Sequence, residues 1–169
     1  MRKAAFPPQV APHCRVLILG SLPGERSLAE QRYYAHPQNR FWHLVGSAVG
    51  RDLVSLNYVE KLAVLKRWGI GLWDVVASAR REGSLDASIR DAEHNPLAEL
   101  IGKLPQLQAV CFNGRTAAKI GRSQLSQSAI TQIDLPSSSA AYARMPLGEK
   151  EDRWQILRDF LETSSVEAH

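Results

Sequence analysis

The chain has 169 residues, of which 44% are hydrophobic and 22% charged, and its formal net charge is +4 at pH 7. This length suits one well-buried core, so we treat residues 1–169 as a single domain, and the composition excludes an intrinsically disordered chain. The mild positive charge allows a nucleic-acid or phosphate-bearing partner, but it is also typical of an ordinary solvated surface.

The first segment, residues 1–14, has no run of seven or more apolar residues before its prolines, so it does not predict a signal peptide. No run approaches the roughly 18 apolar residues of a membrane span, and we expect a cytoplasmic protein. Cys14 and Cys111 each lie in an apolar, strand-like run rather than in a metal-ligand spacing. We therefore predict two buried thiols, with no disulfide, metal site or cofactor.

Predicted strands and helices alternate along the chain. Four apolar runs rich in β-formers are bounded by turn residues, at 15–19, 69–76, 107–112 and 130–135. Helical spacing marks 39–49, 56–68, 96–104, 116–120 and 149–161. Parallel strands need crossover connections, which place helices over the sheet, so the alternation predicts an α/β fold with a parallel sheet between helices.

In such sheets a ligand binds beyond the carboxyl ends of the strands. The segments that follow the four predicted strands are 20–24, 76–83, 113–114 and 136–139. We expect them to gather along one edge and to hold the functional site.

The first of these segments reads Gly20-Ser21-Leu22-Pro23-Gly24. A glycine-containing turn after a buried strand lets backbone N–H groups approach a ligand closely, as phosphate and oxyanion loops do. It is not a Walker loop, because Gly-Lys-Ser/Thr is missing, and not G-x-S-x-G, because Gly20 directly precedes Ser21. A tight turn without a ligand is the alternative.

A second element, His36-Pro37-Gln38-Asn39-Arg40-Phe41-Trp42, precedes a predicted helix. Asn39 is well placed as an N-cap, a role worth about 1 kcal/mol. Phe41 and Trp42 suit either the core face of that helix or a stacking platform. A lone histidine such as His36 favours a structural role.

Two further segments follow the third and fourth strands. Asn113-Gly114 would normally signal a hairpin turn, but a helix-like segment follows, so we place Asn113 at the site edge. The run Leu135-Pro136-Ser137-Ser138-Ser139 is either a polar loop or a set of small groups that grip a phosphate backbone.

Taken in order, these segments resemble the uracil-DNA glycosylase superfamily. Its members carry Gly-x-x-Pro-Gly after the first strand, then Pro-x-Asn-x-Phe-Trp, and a late Pro-Ser loop. Leu22 stands where mismatch-specific uracil enzymes place a water-positioning Asn and the major uracil enzymes an Asp. The combination GSLPG, YYAHPxN, GLWDVV, GSLD, FNG and LPSSS is most similar to the hypoxanthine-DNA glycosylase branch, which relies on another Asn, matched here by Asn39.

The resemblance spans roughly residues 14–144. It implies a three-layer α/β/α sandwich with a central four-stranded parallel sheet, and a monofunctional glycosylase that flips out and hydrolyses a deaminated base. The implied partner is double-stranded DNA containing such a base, bound by a monomer. The implied site residues are Asn39 and Ser21 for catalysis; Leu22, Tyr34, Phe41 and Asn113 for the base; Gly20, Pro23 and Gly24 for the backbone loop; and Pro136, Ser137, Ser138, Ser139 and Arg144 for DNA.

Glycoside cleavage usually relies on a pair of carboxylates, and the matched motifs contain no such pair. Asp74 and Asp86 fit the branch pattern, but we interpret Asp74 as the end of a strand and Asp86 as a cap of 87–91. No lysine falls in the motifs, so a lyase step is not expected. The arginines expected near the site edge and suited to DNA are Arg40, Arg80, Arg81, Arg115 and Arg144.

Three other readings stay open at this point. The substrate could be uracil, alone or beside hypoxanthine, although Leu22 argues against strong uracil activity. The chain could bind damaged or single-stranded DNA without catalysis, using aromatic stacking and a basic groove. It could also bind a free nucleotide, with phosphate held at the Gly24 loop.

Overall fold

A parallel four-stranded sheet forms the centre of the computed structural model, which describes residues 2–161. In their order across the sheet, its strands are Ile70–Asp74, Val16–Gly20, Ala109–Asn113 and Thr131–Leu135, and all neighbours are parallel. Three of its strands are buried along their whole length, as expected where both faces are covered. The strands of the chain are β1 Arg2–Ala4, β2 Val16–Gly20, β3 Ile70–Asp74, β4 Val76–Arg80, β5 Arg90–His94, β6 Ala109–Asn113 and β7 Thr131–Leu135.

Helices cover both faces of this sheet. They are α1 Glu25–Glu30, α2 Phe41–Val49, α3 Tyr58–Trp68, α4 Leu97–Ile101, α5 Arg115–Gln124 and α6 Leu147–Trp154, with 3-10 helices at Asp86–Ser88 and Gln155–Phe160. Val16 and Ile18 of β2 pack into one apolar cluster with α2, α3 and α6. Leu17 and Leu19 pack into a second cluster with α4 and α5. The predicted three-layer α/β/α sandwich is therefore confirmed.

The four predicted strands of the central sheet are confirmed, but the prediction for the second edge segment, residues 76–83, is wrong. The apolar run 69–76 divides after Asp74, because β3 ends there and the chain from Val76 onward pairs with the antiparallel strands β1 and β5. The chain thereby leaves the parallel sheet, and most of the predicted loop 76–83 is strand β4.

A second sheet, with the order β1-β4-β5, is antiparallel and was not predicted. Two of its strands read RKA and RDAEH and are mostly exposed, so they lack the apolar alternation that marks a half-buried strand. This sheet carries the chain from β4 through residues 84–86, which lie against the first loop. Ser84 Oγ, for example, accepts the Glu25 N–H at 2.9 Å.

Helix ends differ from the prediction in ways that bear on the site. α2 begins at Phe41 rather than at Asn39, and α5 is longer than the predicted 116–120. The predicted helix 149–161 consists of α6 and a 3-10 continuation. Both cysteines are buried and unbridged, as predicted. Within residues 2–161, no helix combines the length and apolar character needed to cross a bilayer.

The register of the sheet aligns the carboxyl ends of its strands. Gly20 pairs with Asp74, and Asn113 pairs with Leu135. Polar residues that are far apart in the sequence therefore meet at one edge, as the parallel topology predicts.

Candidate active site

A pocket of about 490 Å³ opens at this edge, a size typical of small-molecule sites. Its walls come from segments at the carboxyl ends of the four central strands, from α1 and the turns before α2, and from the connection between β4 and β5. The lining residues are 20–27, 33–34, 36, 38–39, 74, 84–86, 113 and 137–142.

The first loop contributes a close backbone approach at Gly20. A Cβ atom there would lie 2.7 Å from Asp74 Oδ1 and 3.0 Å from the Tyr34 hydroxyl oxygen. Any larger residue would collide with both side chains, so glycine is required for Asp74 and Tyr34 to share this corner. Ser21 and Leu22 are buried in the same loop.

Arg81 holds the first loop from below the pocket and is not available to DNA. It is only 5% exposed, and its guanidinium donates to the carbonyls of Leu22, Pro23 and Gly83. The expectation that Arg81 suits DNA binding is therefore wrong. Buried arginines of this kind fix backbone geometry because each N–H finds an acceptor.

Asn39 lies in the turn before α2, one residue ahead of the N-cap position. Its Oδ1 accepts the Phe41 N–H at 3.0 Å and the Ser138 hydroxyl at 2.8 Å. The first contact supports the helix start, and the second ties Asn39 to the serine-rich loop. Its side-chain NH₂ has no hydrogen-bond partner within residues 2–161, and Asn39 is one of the residues that line the pocket.

Ser138 joins the two asparagines of the site. This residue is 1% exposed, its hydroxyl accepts from Asn113 Nδ2 at 2.9 Å, and its N–H donates to Asn113 Oδ1 at 2.9 Å. The Arg40 N–H donates to its carbonyl at 2.9 Å. Asn39, Asn113 and Ser138, hereafter the amide wall, thus form one hydrogen-bonded unit across three elements.

Tyr34 covers the face of the Phe41 ring that was expected to stack on a base. Its ring lies 3.8 Å from that of Phe41 at an interplanar angle of 11°, and Phe41 is fully buried behind it. The Tyr34 hydroxyl accepts from Asn113 Nδ2 at 3.3 Å, and burial raises the pKa of this phenol. Its φ of 54° is in the left-handed region, uncommon for a large side chain. In this conformation Tyr34, not Phe41, faces the pocket.

Two carboxylates that were expected to have only structural roles also line the pocket. Asp74 ends β3, and Asp86 opens the 3-10 helix, where its Oδ1 accepts the Ser21 hydroxyl at 2.6 Å. The N-cap of this helix is Leu85, so the interpretation of Asp86 as a cap is wrong. The pocket thus holds two carboxyl groups, although no pair was identified in the matched motifs. Gly20, Asp74 and Asp86 form the carboxylate wall.

Burial changes the chemistry of Asp74. Its side chain is 3% exposed, and Oδ2 is buried without a hydrogen-bond partner among the described residues. This desolvation, reinforced by the charge of Asp86 and opposed by that of Arg81, raises the pKa of Asp74 from 3.8 to about 7. The sequence offered one signal, a charged residue at the carboxyl end of a buried strand.

The serine-rich loop divides between pocket and core. Ser137, Ser138 and Ser139 line the pocket, whereas the Pro136 carbonyl accepts the Trp154 indole N–H at 2.9 Å. Arg144 is exposed beyond the pocket wall formed by residues 137–142. Exposed arginines near this edge also include Arg40 and Arg115, so positive charge is available around the opening.

Comparisons with known proteins agree with this arrangement. The family model for the uracil DNA glycosylase superfamily matches residues 7–161. A protein of Methanosarcina barkeri named hypoxanthine DNA glycosylase is 42% identical over 154 residues, covering 91% of this chain and 96% of the relative. A protein of the same name from Methanosarcina acetivorans is 41% identical over 157 residues, covering 93% and 98%.

The fold is similar to that of a solved structure. A Methanosarcina acetivorans protein described as a uracil DNA glycosylase, with a structure determined by NMR in solution, superposes with a TM-score of 0.84. The two chains are 41% identical, and the match covers 93% of this chain and 96% of the other.

Proposed function

The chain belongs to the uracil DNA glycosylase superfamily, and we propose that it is a single-domain, monomeric and monofunctional glycosylase that removes hypoxanthine from double-stranded DNA. The observation that carries this proposal is the Asn39 side chain. Its oxygen is fixed by Phe41 and Ser138, and its NH₂ is left for a ligand in the pocket. Two relatives named for hypoxanthine support the choice of base.

The substrate base has to leave the duplex before it can reach this pocket. Hypoxanthine arises by deamination of adenine, and its glycosidic bond lies inside the base stack, so the nucleotide is flipped out at a cost of a few kcal/mol. Ser137 and Ser139 offer small polar groups at the pocket rim for the DNA backbone. Arg144 and the other exposed arginines add sequence-independent attraction to phosphates.

Catalysis rests on charge that develops as the glycosidic bond breaks. The sugar becomes oxocarbenium-like and the base gains negative charge. The Asn39 NH₂ is held by two contacts to its oxygen, so it needs no reorganisation to donate to that charge or to hold the attacking water. Such preorganised donors act mainly on the transition state. Backbone N–H groups of residues 21–24 are suited to the same task.

Selection of hypoxanthine over adenine requires a donor at the position of its carbonyl oxygen, where adenine carries an amino group. Asn113 provides an NH₂ at the pocket wall. One of its two hydrogens goes to Ser138 and the other to the Tyr34 hydroxyl. A bound base would take the place of the Tyr34 hydroxyl as acceptor, and a base stacked on Phe41 would likewise displace the Tyr34 ring.

The product should be an intact abasic strand. A lyase step needs an amine nucleophile in the site, and no lysine within residues 2–161 lines the pocket. Two lysines bond to lining residues: Lys150 donates to the Ser139 carbonyl at 3.3 Å, and Lys3 is paired with the Glu25 carboxylate.

The test incubates the protein with end-labelled duplexes that carry one deoxyinosine, one deoxyuridine or neither, followed by hot alkali. The proposal predicts scission at the inosine only after alkali. Scission mainly at uracil would replace hypoxanthine by uracil as the substrate. Folded protein that binds the duplexes but cleaves neither would be a DNA-binding member without activity, and displacement of DNA by a nucleoside monophosphate would indicate a nucleotide site.

A further inference from the structure

The two carboxylates of the pocket have no role in the function proposed above. Asp74 comes from the end of β3, and Asp86 comes from the 3-10 helix in the connection between β4 and β5. Both line the same cavity as Asn39. Paired carboxyl groups in different surroundings commonly divide acid and base roles.

The hydrogen bonds of the two groups differ. Asp86 accepts the Ser21 hydroxyl at 2.6 Å, which stabilises a carboxylate. Asp74 receives no comparable donor at its buried Oδ2 among the described residues. The neighbouring Asn95 donates to the main-chain carbonyl of Asp74 at 2.7 Å rather than to its carboxyl group.

The charged groups around Asp74 favour its neutral form. Asp86 repels a second negative charge, and the phenols of Tyr33 and Tyr34 face Asp74 without supplying a cation. Among the described residues, the cation that acts on Asp74 is Arg81, and its guanidinium is engaged by three carbonyls. With its pKa raised to about 7, the carboxyl group keeps its proton into the neutral range.

We propose that Asp74 is the general acid of the excision reaction and passes its carboxyl proton to a ring nitrogen of the departing hypoxanthine. The inference rests on the glycosylase function proposed above and adds the group that protonates the leaving base. It gives a role to a buried carboxyl group whose Oδ2 finds no hydrogen-bond partner in the described part of the chain and which lies beside a glycine that leaves room for it.

The step balances without a further reactant. As the C1′–N9 bond breaks, its electron pair stays with the base, and the proton from Asp74 lets the base leave as a neutral molecule. A water oxygen then bonds to C1′, and the proton lost by that water returns to the Asp74 carboxylate. Asp86, fixed by Ser21, can accept a hydrogen bond from the same water. The sum is hydrolysis of one glycosidic bond.

The test measures single-turnover release of hypoxanthine from a deoxyinosine duplex between pH 5.5 and 9. Wild-type rates should fall about tenfold per pH unit once Asp74 has lost its proton. Asp74→Asn keeps the shape but cannot transfer a proton, so at pH 6 it should be slower by about 100-fold or more and show no alkaline decline. His36 is another titratable residue of the pocket wall, and His36→Gln should retain the alkaline limb.

Two results would overturn this role: an Asp74→Asn rate within about threefold of wild type at pH 6, or a wild-type rate that stays constant from pH 6 to 9. The wild-type profile needs no variant, so it decides the matter even if Asp74→Asn does not fold. A wild type that releases no hypoxanthine at any pH would contradict the proposed function as well. A wild type that is active with a flat profile would contradict the Asp74 role alone.

Discussion

The amide wall and the carboxylate wall face the same pocket but differ in whether their polar groups have hydrogen-bond partners. On the amide wall, Asn39, Asn113 and Ser138 satisfy one another, and one amide group is left for a ligand. On the carboxylate wall, Asp74 is buried with an oxygen that has no partner among the described residues. A satisfied network positions atoms, whereas an unsatisfied ionisable group destabilises the fold and is typical of a functional site.

The largest expected effect on stability comes from the carboxylate wall. The pKa of Asp74 is about 7 in the folded state and near 4 in the unfolded state. Between these two pH values the unfolded chain releases a proton that the folded chain retains. The free energy of unfolding therefore falls as the pH rises from 4 towards 7. A shift of roughly three pKa units corresponds to an order of 4 kcal/mol. In urea unfolding, the free energy of unfolding of Asp74→Asn should therefore rise relative to that of wild type between pH 4 and 8, by up to about 4 kcal/mol.

Asp134→Asn provides the matched control for this measurement. Asp134 is an exposed carboxylate paired with Arg122 at 2.9 Å, so its replacement should leave the pH dependence close to that of wild type. An Asp74→Asn difference that is the same at pH 4 and pH 8 would show that Asp74 is ionised in the fold.

An intermediate effect is expected on the amide wall from Ser138→Ala. The change removes one hydrogen-bond partner from buried Asn113 and one from half-buried Asn39, a loss of about 1–3 kcal/mol in the free energy of unfolding. Excision of hypoxanthine should slow by about tenfold or more, because Asn39 is no longer held from one side. Chemical denaturation and single-turnover kinetics measure the two effects.

Ser137→Ala is the control for Ser138→Ala, since the Ser137 hydroxyl makes only a local contact, accepting the Ser139 N–H at 3.1 Å. Its cost should stay below about 1 kcal/mol. Equal losses of stability in the two variants would mean that Ser138 does not organise the wall.

The smallest effect is expected from Tyr34→Phe. The ring keeps its stacking on Phe41, and only the long 3.3 Å contact with Asn113 is removed. The free energy of unfolding should therefore change by less than about 1 kcal/mol, and kcat/KM by less than about fivefold. Steady-state kinetics on the inosine duplex measure the change. A fall of about 100-fold would show that the hydroxyl takes part in the reaction.

The sequence predicts the central sheet well because its strands are continuous apolar runs, and parallel topology then dictates where their carboxyl ends meet. It does not predict β1 or β5, whose mostly exposed charged residues carry no alternation. Without them, the position of Asp86 cannot be derived, because residues 84–86 reach the pocket only through the second sheet. Residues 20–24, 36, 38–39 and 137–139 of the quoted motifs line the pocket, but Asp74 and Asp86 become a pair only in three dimensions.

Two other features follow from contacts that no local pattern encodes. Arg81 is one of several arginines in the sequence, and only the fold shows that its guanidinium is buried against three carbonyls. Phe41 matches a stacking motif, yet Tyr34, whose left-handed backbone conformation is unusual for an aromatic residue, occupies its face.

The most direct test of the account is the Asn39→Ala variant, studied for excision rate, DNA affinity and stability together. The structure gives Asn39 both a helix-start contact and an NH₂ in the pocket. We predict that single-turnover release of hypoxanthine falls by about 100-fold to 1,000-fold, while the dissociation constant for the inosine duplex changes by less than about threefold and the loss of stability stays near 1 kcal/mol. A rate that declines only in proportion to the loss of folded protein would contradict the account and leave Asn39 as a structural residue.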